Sequence, residues 1–180
     1  MGPSLVPKRF AYYDNLGTES RRTYRKSDRI VRVELPDAAA LEERARAIDA
    51  ALASEDRAQV ERACQALVDG INRQLETPRV RVRVMERRPA DAGGELQGLY
   101  EPDEVTGDVA RITVWMRTAR KEQVVKFRTF LRTLLHEVCH HLDYEHYELE
   151  ETFHTEGFYA RESSLMRDLL GEATPPSPGS

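Results

Sequence analysis

The residues best suited to chemistry lie in one short segment, His136-Glu137-Val138-Cys139-His140. On an α-helix, residues four apart lie one turn above each other, so His136 and His140 can bind one zinc ion at ~2.0–2.1 Å. Glu137 is rotated by about 100° from that face, where its carboxylate can accept a proton from a zinc-bound water. The H-E-x-x-H pattern therefore predicts a catalytic Zn²⁺ site with Glu137 as general base.

A catalytic zinc site usually has three protein ligands and one open position, so a third ligand is expected downstream of this motif. His154 is favoured, because the fourteen residues after the motif allow the helix to end and a loop to return to the metal. Glu162, on a further predicted helix, is the second candidate, while Glu156 and a site without a third protein ligand also stay open. Asp143 is a further possible ligand, but it points roughly the same way as the two histidines and is better placed to support a ligand from behind.

Several other residues have both a functional and a structural interpretation. Tyr159 and Arg161 are candidate oxyanion stabilisers, although a structural role near a helix start is the alternative. His141 lies off the ligand face, where we expect it to contact surface acids or the following loop. Cys139 is expected to pack inside the protein rather than bind zinc, and Cys64 is expected to be a buried core thiol.

The element that must position the motif is a helix predicted over residues 122–144, which no glycine or proline interrupts. Its apolar side chains form one wide face: Val124, Val125, Phe127, Phe130, Leu131, Leu134, Leu135, Val138 and Leu142. A strand is predicted before it at Val109–Met116, and residues 111–116 are expected to form an edge strand that pairs with an extended substrate. A last helix, predicted over about 157–170, would close the site.

The preceding part of the chain predicts a helical hairpin and two more strands. Apolar spacings of three and four residues predict a helix at 38–53 and a second one to about residue 75, which we expect Ser54 to cap. Valines alternate with arginines over 79–84, a pattern typical of a half-buried strand, and a short strand is predicted at 96–100. These elements indicate an α+β fold in which a small, mostly antiparallel sheet packs against the active-site helix.

The chain is predicted to consist of a flexible basic arm at 1–33, a folded domain at 34–171 and a disordered tail at 172–180. Between residues 8 and 33, eight lysines and arginines stand beside three acids, a composition typical of a solvated tail. The alternative is an arm that contacts nucleic acid or an acidic partner. One such partner is the chain's own acidic stretch at 143–156, which would make the arm an occluding segment.

Length and composition limit the class of protein. The chain has 180 residues with 27 basic and 31 acidic side chains, so we expect one domain without an overall basic charge. No apolar run approaches the ~18 residues of a membrane-spanning helix, and the N-terminus lacks the apolar stretch of a signal peptide. Together with only two cysteines, these features predict a cytoplasmic protein with no membrane partner.

The motif resembles those of the zincin superfamily of metallopeptidases, and is most similar to the SprT-like arrangement and to small uncharacterised bacterial metallopeptidases. The resemblance covers about residues 96–170. It rests on the H-E-x-x-H helix and on a histidine that follows after a loop, near a glycine and an aromatic residue: His154, Gly157 and Phe158. Unlike some SprT-like proteins, the chain carries no C-terminal four-cysteine zinc ribbon.

This resemblance implies a zincin-like fold with Zn²⁺ bound by His136, His140 and His154, and with Glu137 as the general base. It also implies, more weakly, action on DNA-associated proteins. The predicted function is therefore hydrolysis of peptide bonds in a protein or peptide substrate. Two alternatives stay open, namely a non-catalytic zinc-binding regulatory module and a nucleic-acid-associated protein acting through residues 8–33.

Overall fold

A computed structural model of the protein describes residues 11–172, which form a mixed fold of helices and short strands. The helices are α1 (Thr18–Arg29), α2 (Glu42–Ser54), α3 (Arg57–Leu75), α4 (Asp103–Thr106), α5 (Phe127–Glu145) and α6 (Glu156–Leu169). The strands are β1 (Val80–Arg87), β2 (Ala90–Asp91), β3 (Gly94–Glu95), β4 (Gly98–Glu101) and β5 (Ala110–Arg117). Within this described range, no helix is long and apolar enough to cross a membrane.

The main sheet has three strands in the order β1-β5-β4, and its longest ladder is parallel. β5 pairs with β1 in parallel from Ala110 to Arg117, whereas β4 pairs with β5 in the antiparallel sense. The prediction of a mostly antiparallel sheet is therefore wrong for the main ladder. The reason is that β4 and β5 fold back on each other and place β5, whose residues are nearly all buried, at the centre of the sheet.

The prediction that residues 111–116 form an edge strand is also wrong, because β5 is central and the edges are β1 and β4. Side chains of α3 cover the outer edge of β1. Gln65 accepts a hydrogen bond from the Val82 amide at 2.8 Å and donates one to the Val80 carbonyl at 3.0 Å. Glu61 accepts from the amide of Val84 at 3.0 Å. In the described chain, β4 is thus the edge of the main sheet left without such cover.

The helical hairpin expected before β1 is confirmed as α2 and α3. The cap differs from the prediction, because the Ser54 hydroxyl donates back to the Ala51 carbonyl at 2.6 Å and Asp56 caps α3 instead. The Asp56 side chain accepts a hydrogen bond from the Gln59 amide at 3.0 Å. The apolar face of α3 is fully buried: Val60, Cys64, Leu67, Val68 and Ile71.

The helix that carries the H-E-x-x-H motif begins five residues later than predicted, at Phe127. The preceding residues turn back onto β5 instead. Glu122 adopts a left-handed backbone conformation (φ 52°), and Val124 forms an isolated bridge with Arg117. The Val125 amide then donates to the Met116 carbonyl at 2.8 Å. This return places α5 directly on the core face of the sheet.

The N-terminal segment differs most from its prediction. From Ala11 to Val33, the part of the predicted flexible arm that the structure describes, the chain is ordered as a 3₁₀ turn at Ala11–Asn15, helix α1 and an extended stretch. Tyr24 and Ser27 of α1 are fully buried, and α1 packs against α6. Residues 1–10, and all but the first residue of the predicted tail at 172–180, lie outside the described residues.

Candidate metal centre

Three imidazole rings meet at the surface of α5. His136 and His140 lie one turn apart on this helix, and His154 comes from the loop before α6. Their Nε2 atoms are 3.1 Å (His136 to His154), 3.3 Å (His136 to His140) and 3.0 Å (His140 to His154) apart. Tetrahedral zinc with ~2.0–2.1 Å bonds holds its ligand nitrogens about 3.3 Å apart. The three side chains therefore fit a Zn²⁺ ion.

Hydrogen bonding alone explains this cluster poorly. Each hydrogen bond needs one N–H and one lone pair, and three ring nitrogens that face the same point cannot satisfy each other in this way. Burial and neighbouring positive charge lower the pKa of His140 to about 3 and also lower that of His154. Both rings are therefore neutral at neutral pH, which is the form that binds a metal ion.

The orientation of His140 is fixed from behind. Its Nδ1 atom lies 2.7 Å from the Thr152 hydroxyl, and that hydroxyl donates to Oδ2 of Asp143 at 2.8 Å. Since the single hydroxyl proton of Thr152 goes to the carboxylate, the Nδ1–H of His140 donates to Thr152 and leaves the Nε2 lone pair facing the cluster. Asp143 thus lies behind His140 and reaches its ring through Thr152.

Glu162 lies behind His136. Its Oε1 atom is 3.7 Å from Nδ1 of His136, on the side of the ring away from the cluster, and its side chain is almost fully buried. The structure therefore brings His154, rather than Glu162, together with the two histidines of α5. Glu156, at the start of α6, is exposed and is not part of this group.

The Glu137 carboxyl lies beside the histidine cluster but outside it. Burial is the main reason why its pKa rises from 4.5 to about 7; the charge of His136 opposes this shift and that of Glu162 adds to it. The carboxyl packs against β4, where a Cβ atom at Gly98 would lie 2.7 Å from Glu137 Oε1. Any larger residue at position 98 would therefore collide with the Glu137 carboxyl. Sequence reasoning missed this role of Gly98, and the only signal for it was a glycine inside a short strand.

The other predicted site residues have separate positions. Tyr159 is 40 % exposed, with its ring centre 6.1 Å from that of His136 and 5.8 Å from that of His154. Arg161 does not fit the predicted oxyanion role, because its guanidinium is fully buried and donates to Asp143 at 2.9 Å.

His141 and Cys139, which flank His140 in the sequence, belong to the protein interior. His141 is fully buried rather than in contact with surface acids, and its ring nitrogens lie 3.1 Å from the Tyr100 hydroxyl and 2.9 Å from the Pro78 carbonyl. Cys139 is packed in the core, as predicted, and burial raises the pKa of its thiol. Cys64 is likewise a buried core thiol.

Two cavities flank the cluster and share Gly98, His136 and Glu137 among their lining residues. One, of about 350 Å³, is lined on its far side by Tyr100 and Tyr144. The other, of about 310 Å³, is lined by polar residues: Gln97, Thr129, Arg132, Thr133 and Glu162. They form a cleft that runs past the histidines beside the open edge of β4.

The described part of the N-terminal segment leaves this cleft open, because no residue from 11 to 33 lines either cavity. The segment packs instead against the loop that carries His154. Ser20 donates to Glu151 at 2.5 Å, Lys26 to the Tyr147 carbonyl at 3.3 Å and the Tyr12 hydroxyl to the His154 carbonyl at 3.3 Å. This placement counts against occlusion by residues 11–33.

Comparison of the chain with protein-family models, with curated proteins and with solved structures finds no match. The resemblance to SprT-like zincins therefore rests on the motif itself. What the chain can do must accordingly be argued from the geometry of the three histidines, Glu137 and the cleft beside them.

Proposed function

We propose that this protein is a zinc-dependent metallopeptidase with a site arranged as in SprT-like zincins. The observation that carries the proposal is the convergence of the His136, His140 and His154 Nε2 atoms, 3.0–3.3 Å apart, beside the separate carboxyl of Glu137. Three imidazoles plus a nearby acid that is not a ligand are the donor set of a catalytic zinc site with an open fourth position.

Glu137 is placed to handle the protons of peptide hydrolysis. When zinc is bound, it supplies a Lewis acid that polarises a carbonyl group and lowers the pKa of a water molecule. The Glu137 carboxylate accepts a proton from the attacking water and later returns it to the leaving amine. Tyr159, whose ring centre lies 5.8 Å from that of His154, is the candidate donor of a hydrogen bond to the carbonyl oxygen of the substrate.

The open edge of β4 suits the binding of an extended peptide. The strand runs along both cavities, and its Gly98 backbone lies against Glu137, so a peptide paired with β4 would pass the histidines. The opposite edge of the sheet is covered by side chains of α3, which restricts such pairing to β4. The edge-strand role predicted for residues 111–116 is thus proposed for residues 98–101.

A purely structural zinc site is the less favoured interpretation. Structural sites usually close with a fourth protein ligand, whereas the candidate ligands that converge in the described chain are three histidines. A structural site also has no use for the buried Glu137 carboxyl, whose pKa is raised into the range of a general base.

The test of this proposal combines metal analysis with a hydrolysis assay on an unstructured protein such as casein. We expect about one zinc per chain in the wild-type protein, loss of zinc in His154→Ala and retention in Glu162→Ala. Glu137→Gln should keep its zinc and lose hydrolysis by about 10²–10⁴-fold, because only proton transfer is removed. The exposed Glu145→Gln, on the same helix, is the matched control. Wild-type hydrolysis by Glu137→Gln, or a metal-free wild-type protein, would refute the proposal.

A second candidate function, binding of a nucleic-acid backbone, is favoured by a concave surface at the β1 edge of the sheet, whereas the cavities beside the histidines are lined by β4. This groove, of about 860 Å³, lies between α3 and β1 and contains six arginines but only two acids: Arg57, Arg62, Arg81, Arg83, Arg87 and Arg111, with Glu61 and Glu86. Arg62 and Arg83 have no acidic side chain within 4.0 Å among the described residues. Guanidinium groups match phosphate oxygens in charge and in hydrogen-bonding geometry.

The groove replaces residues 8–33 as the proposed nucleic-acid contact. We expect Arg81→Glu/Arg83→Glu to weaken binding of a labelled DNA duplex and to reduce its salt dependence by about one to two ion equivalents. The matched pair Arg22→Glu/Arg29→Glu, exposed on α1, should have a smaller effect. Fluorescence anisotropy at several salt concentrations measures both the affinity and its salt dependence. A larger effect of the α1 pair would favour residues 8–33 as the nucleic-acid contact.

A further inference from the structure

A buried ion pair lies between the histidine cluster and helix α1. Arg161 and Asp143 are fully buried, and their side chains are 2.9 Å apart. Removing two charges from water costs several kcal/mol per ion unless further hydrogen bonds compensate. The hydrogen-bond partners of Arg161 and Asp143 therefore show which parts of the protein this ion pair connects.

On the side of the metal centre, the pair reaches His140 through one hydroxyl. Arg161 holds Oδ1 of Asp143, and Oδ2 of the same carboxylate accepts the Thr152 hydroxyl at 2.8 Å. The oxygen of Thr152 in turn accepts from Nδ1 of His140 at 2.7 Å. Because the carboxylate can only accept, this order fixes both the tautomer and the ring orientation of His140.

On the opposite side, the same guanidinium binds the C-terminal end of α1. Its Nη1 atom donates to the carbonyls of Ser27 at 2.6 Å and Ile30 at 2.5 Å, and Nη2 donates to the Ser27 hydroxyl at 3.0 Å. The last carbonyls of a helix have no partner within the helix, and a cation there also interacts favourably with the helix dipole. Arg161 thus supplies the C-terminal cap of α1.

We propose that Arg161 is a positioning residue that couples the docking of α1 to the metal affinity of His140, through Asp143 and Thr152. The inference rests on the metal site of the proposed function but not on hydrolysis. Coupling of this kind is reciprocal. Zinc at the cluster stabilises the docked α1, and a docked α1 raises zinc affinity, although α1 contributes no ligand. The N-terminal helix accordingly supports the metal site without being part of it.

The decisive experiment compares two substitutions of Thr152 in the full-length protein. Thr152→Val removes the hydroxyl without changing the shape of the side chain, whereas Thr152→Ser keeps the hydroxyl. We expect Thr152→Val to raise the zinc dissociation constant by about 10–100-fold, measured by competition with a chromophoric chelator. Thr152→Ser should stay close to the wild-type value. Visible absorption of the Co²⁺-loaded proteins reports separately on the geometry of the ligands.

Amide hydrogen exchange measures the same coupling through its effect on the stability of α1. We expect zinc to slow exchange in residues 18–30 of the wild-type protein by about 5-fold or more, and to do so much less in Thr152→Val. Arg161→Lys, which keeps the charge but has too few donors for both sides, should show the same loss. Tyr12→Phe removes a hydrogen bond from this segment to the His154 carbonyl, which is separate from the Arg161 route, and should leave the zinc effect in place.

Each result decides the inference. Wild-type zinc affinity in Thr152→Val, an unchanged exchange rate of residues 18–30 on adding zinc, or loss of the zinc effect in Tyr12→Phe instead would overturn it. A wild-type protein that binds no zinc would overturn the proposed function as well, and this is visible before any variant is made. Conversely, Glu137→Gln that still hydrolyses its substrate would refute the mechanism and leave the coupling intact.

Discussion

The Glu137 carboxyl is buried beside His136 and against the backbone of Gly98. An ionised carboxylate in such a place loses most of its hydration, which is why its pKa rises from 4.5 to about 7. In the metal-free protein, the folded chain therefore keeps a proton at pH values at which the unfolded chain has released it. The same burial suits a general base at neutral pH, because its proton affinity then matches the surroundings.

We expect Glu137→Gln to stabilise the metal-free protein at pH 8 and to leave its stability nearly unchanged at pH 4. Between about pH 4.5 and 7, the contribution of Glu137 to the free energy of unfolding falls as pH rises, since the unfolded chain binds fewer protons at this residue than the folded one. Glutamine has no charge to desolvate, so the difference should reach about 1–3 kcal/mol above pH 7. Urea unfolding in the presence of a chelator measures it.

The outcome that would contradict this argument is a difference between the two proteins that does not change with pH. Glu145→Gln, which alters an exposed glutamate of the same helix, is the control and should change stability by less than about 0.5 kcal/mol at either pH. Comparing variants at each pH removes the contribution of His140, whose lowered pKa affects both proteins alike.

Sequence reasoning found the residues of the site whose geometry a helix dictates. His136, Glu137 and His140 follow from the helical repeat alone, whereas His154 depends on where a loop returns. The structure places His154 with the other two. Thr152 and Gly98 gave no comparable signal, because their roles arise from contacts with residues on other elements.

At the scale of elements, the periodicity of apolar residues predicted which helices and strands form, but not how the strands are ordered in the sheet. The alternation of valines and arginines in β1 and the apolar face of α5 are local properties, and both elements are present. The parallel pairing of β1 with β5 depends instead on which strand occupies the centre of the sheet. The more continuously apolar character of β5 was a signal for that central place, since both faces of a central strand are buried.

Helix α1 was missed because its sequence is almost entirely polar, and only Thr23, Tyr24 and Ser27 of its residues are buried. Such a helix has no apolar stripe from which its docking could be predicted. It is held instead by specific contacts at its C-terminal end. Asp28 accepts a hydrogen bond from the Gly157 amide at 3.1 Å, and Arg161 caps the last carbonyls. A glycine at 157 is needed there, since a Cβ atom would lie 2.5 Å from the Asp28 carbonyl oxygen.

At the scale of the whole molecule, the described chain therefore does not divide into an arm and a domain at residue 33. Tyr24 is fully buried, and its ring centre lies 5.1 Å from that of Tyr13 and 5.9 Å from that of Phe153, the residue before His154. The Val33 amide donates to the hydroxyl of Ser164 on α6 at 3.1 Å. The N-terminal segment thus contributes to the stability of the fold. It also packs against the loop that carries His154.

We expect Tyr24→Ala to lower the free energy of unfolding of the metal-free protein by about 3 kcal/mol, the usual cost of deleting a buried aromatic ring. This is a large part of the ~5–15 kcal/mol that stabilises a typical domain. The same variant should bind zinc more weakly, because Phe153 loses the ring against which it packs. Arg22→Ala, an exposed change on the same helix, should alter stability by less than about 0.5 kcal/mol. If Tyr24→Ala changed the free energy of unfolding in urea as little as Arg22→Ala, residues 11–33 would behave as the flexible arm that their composition suggests.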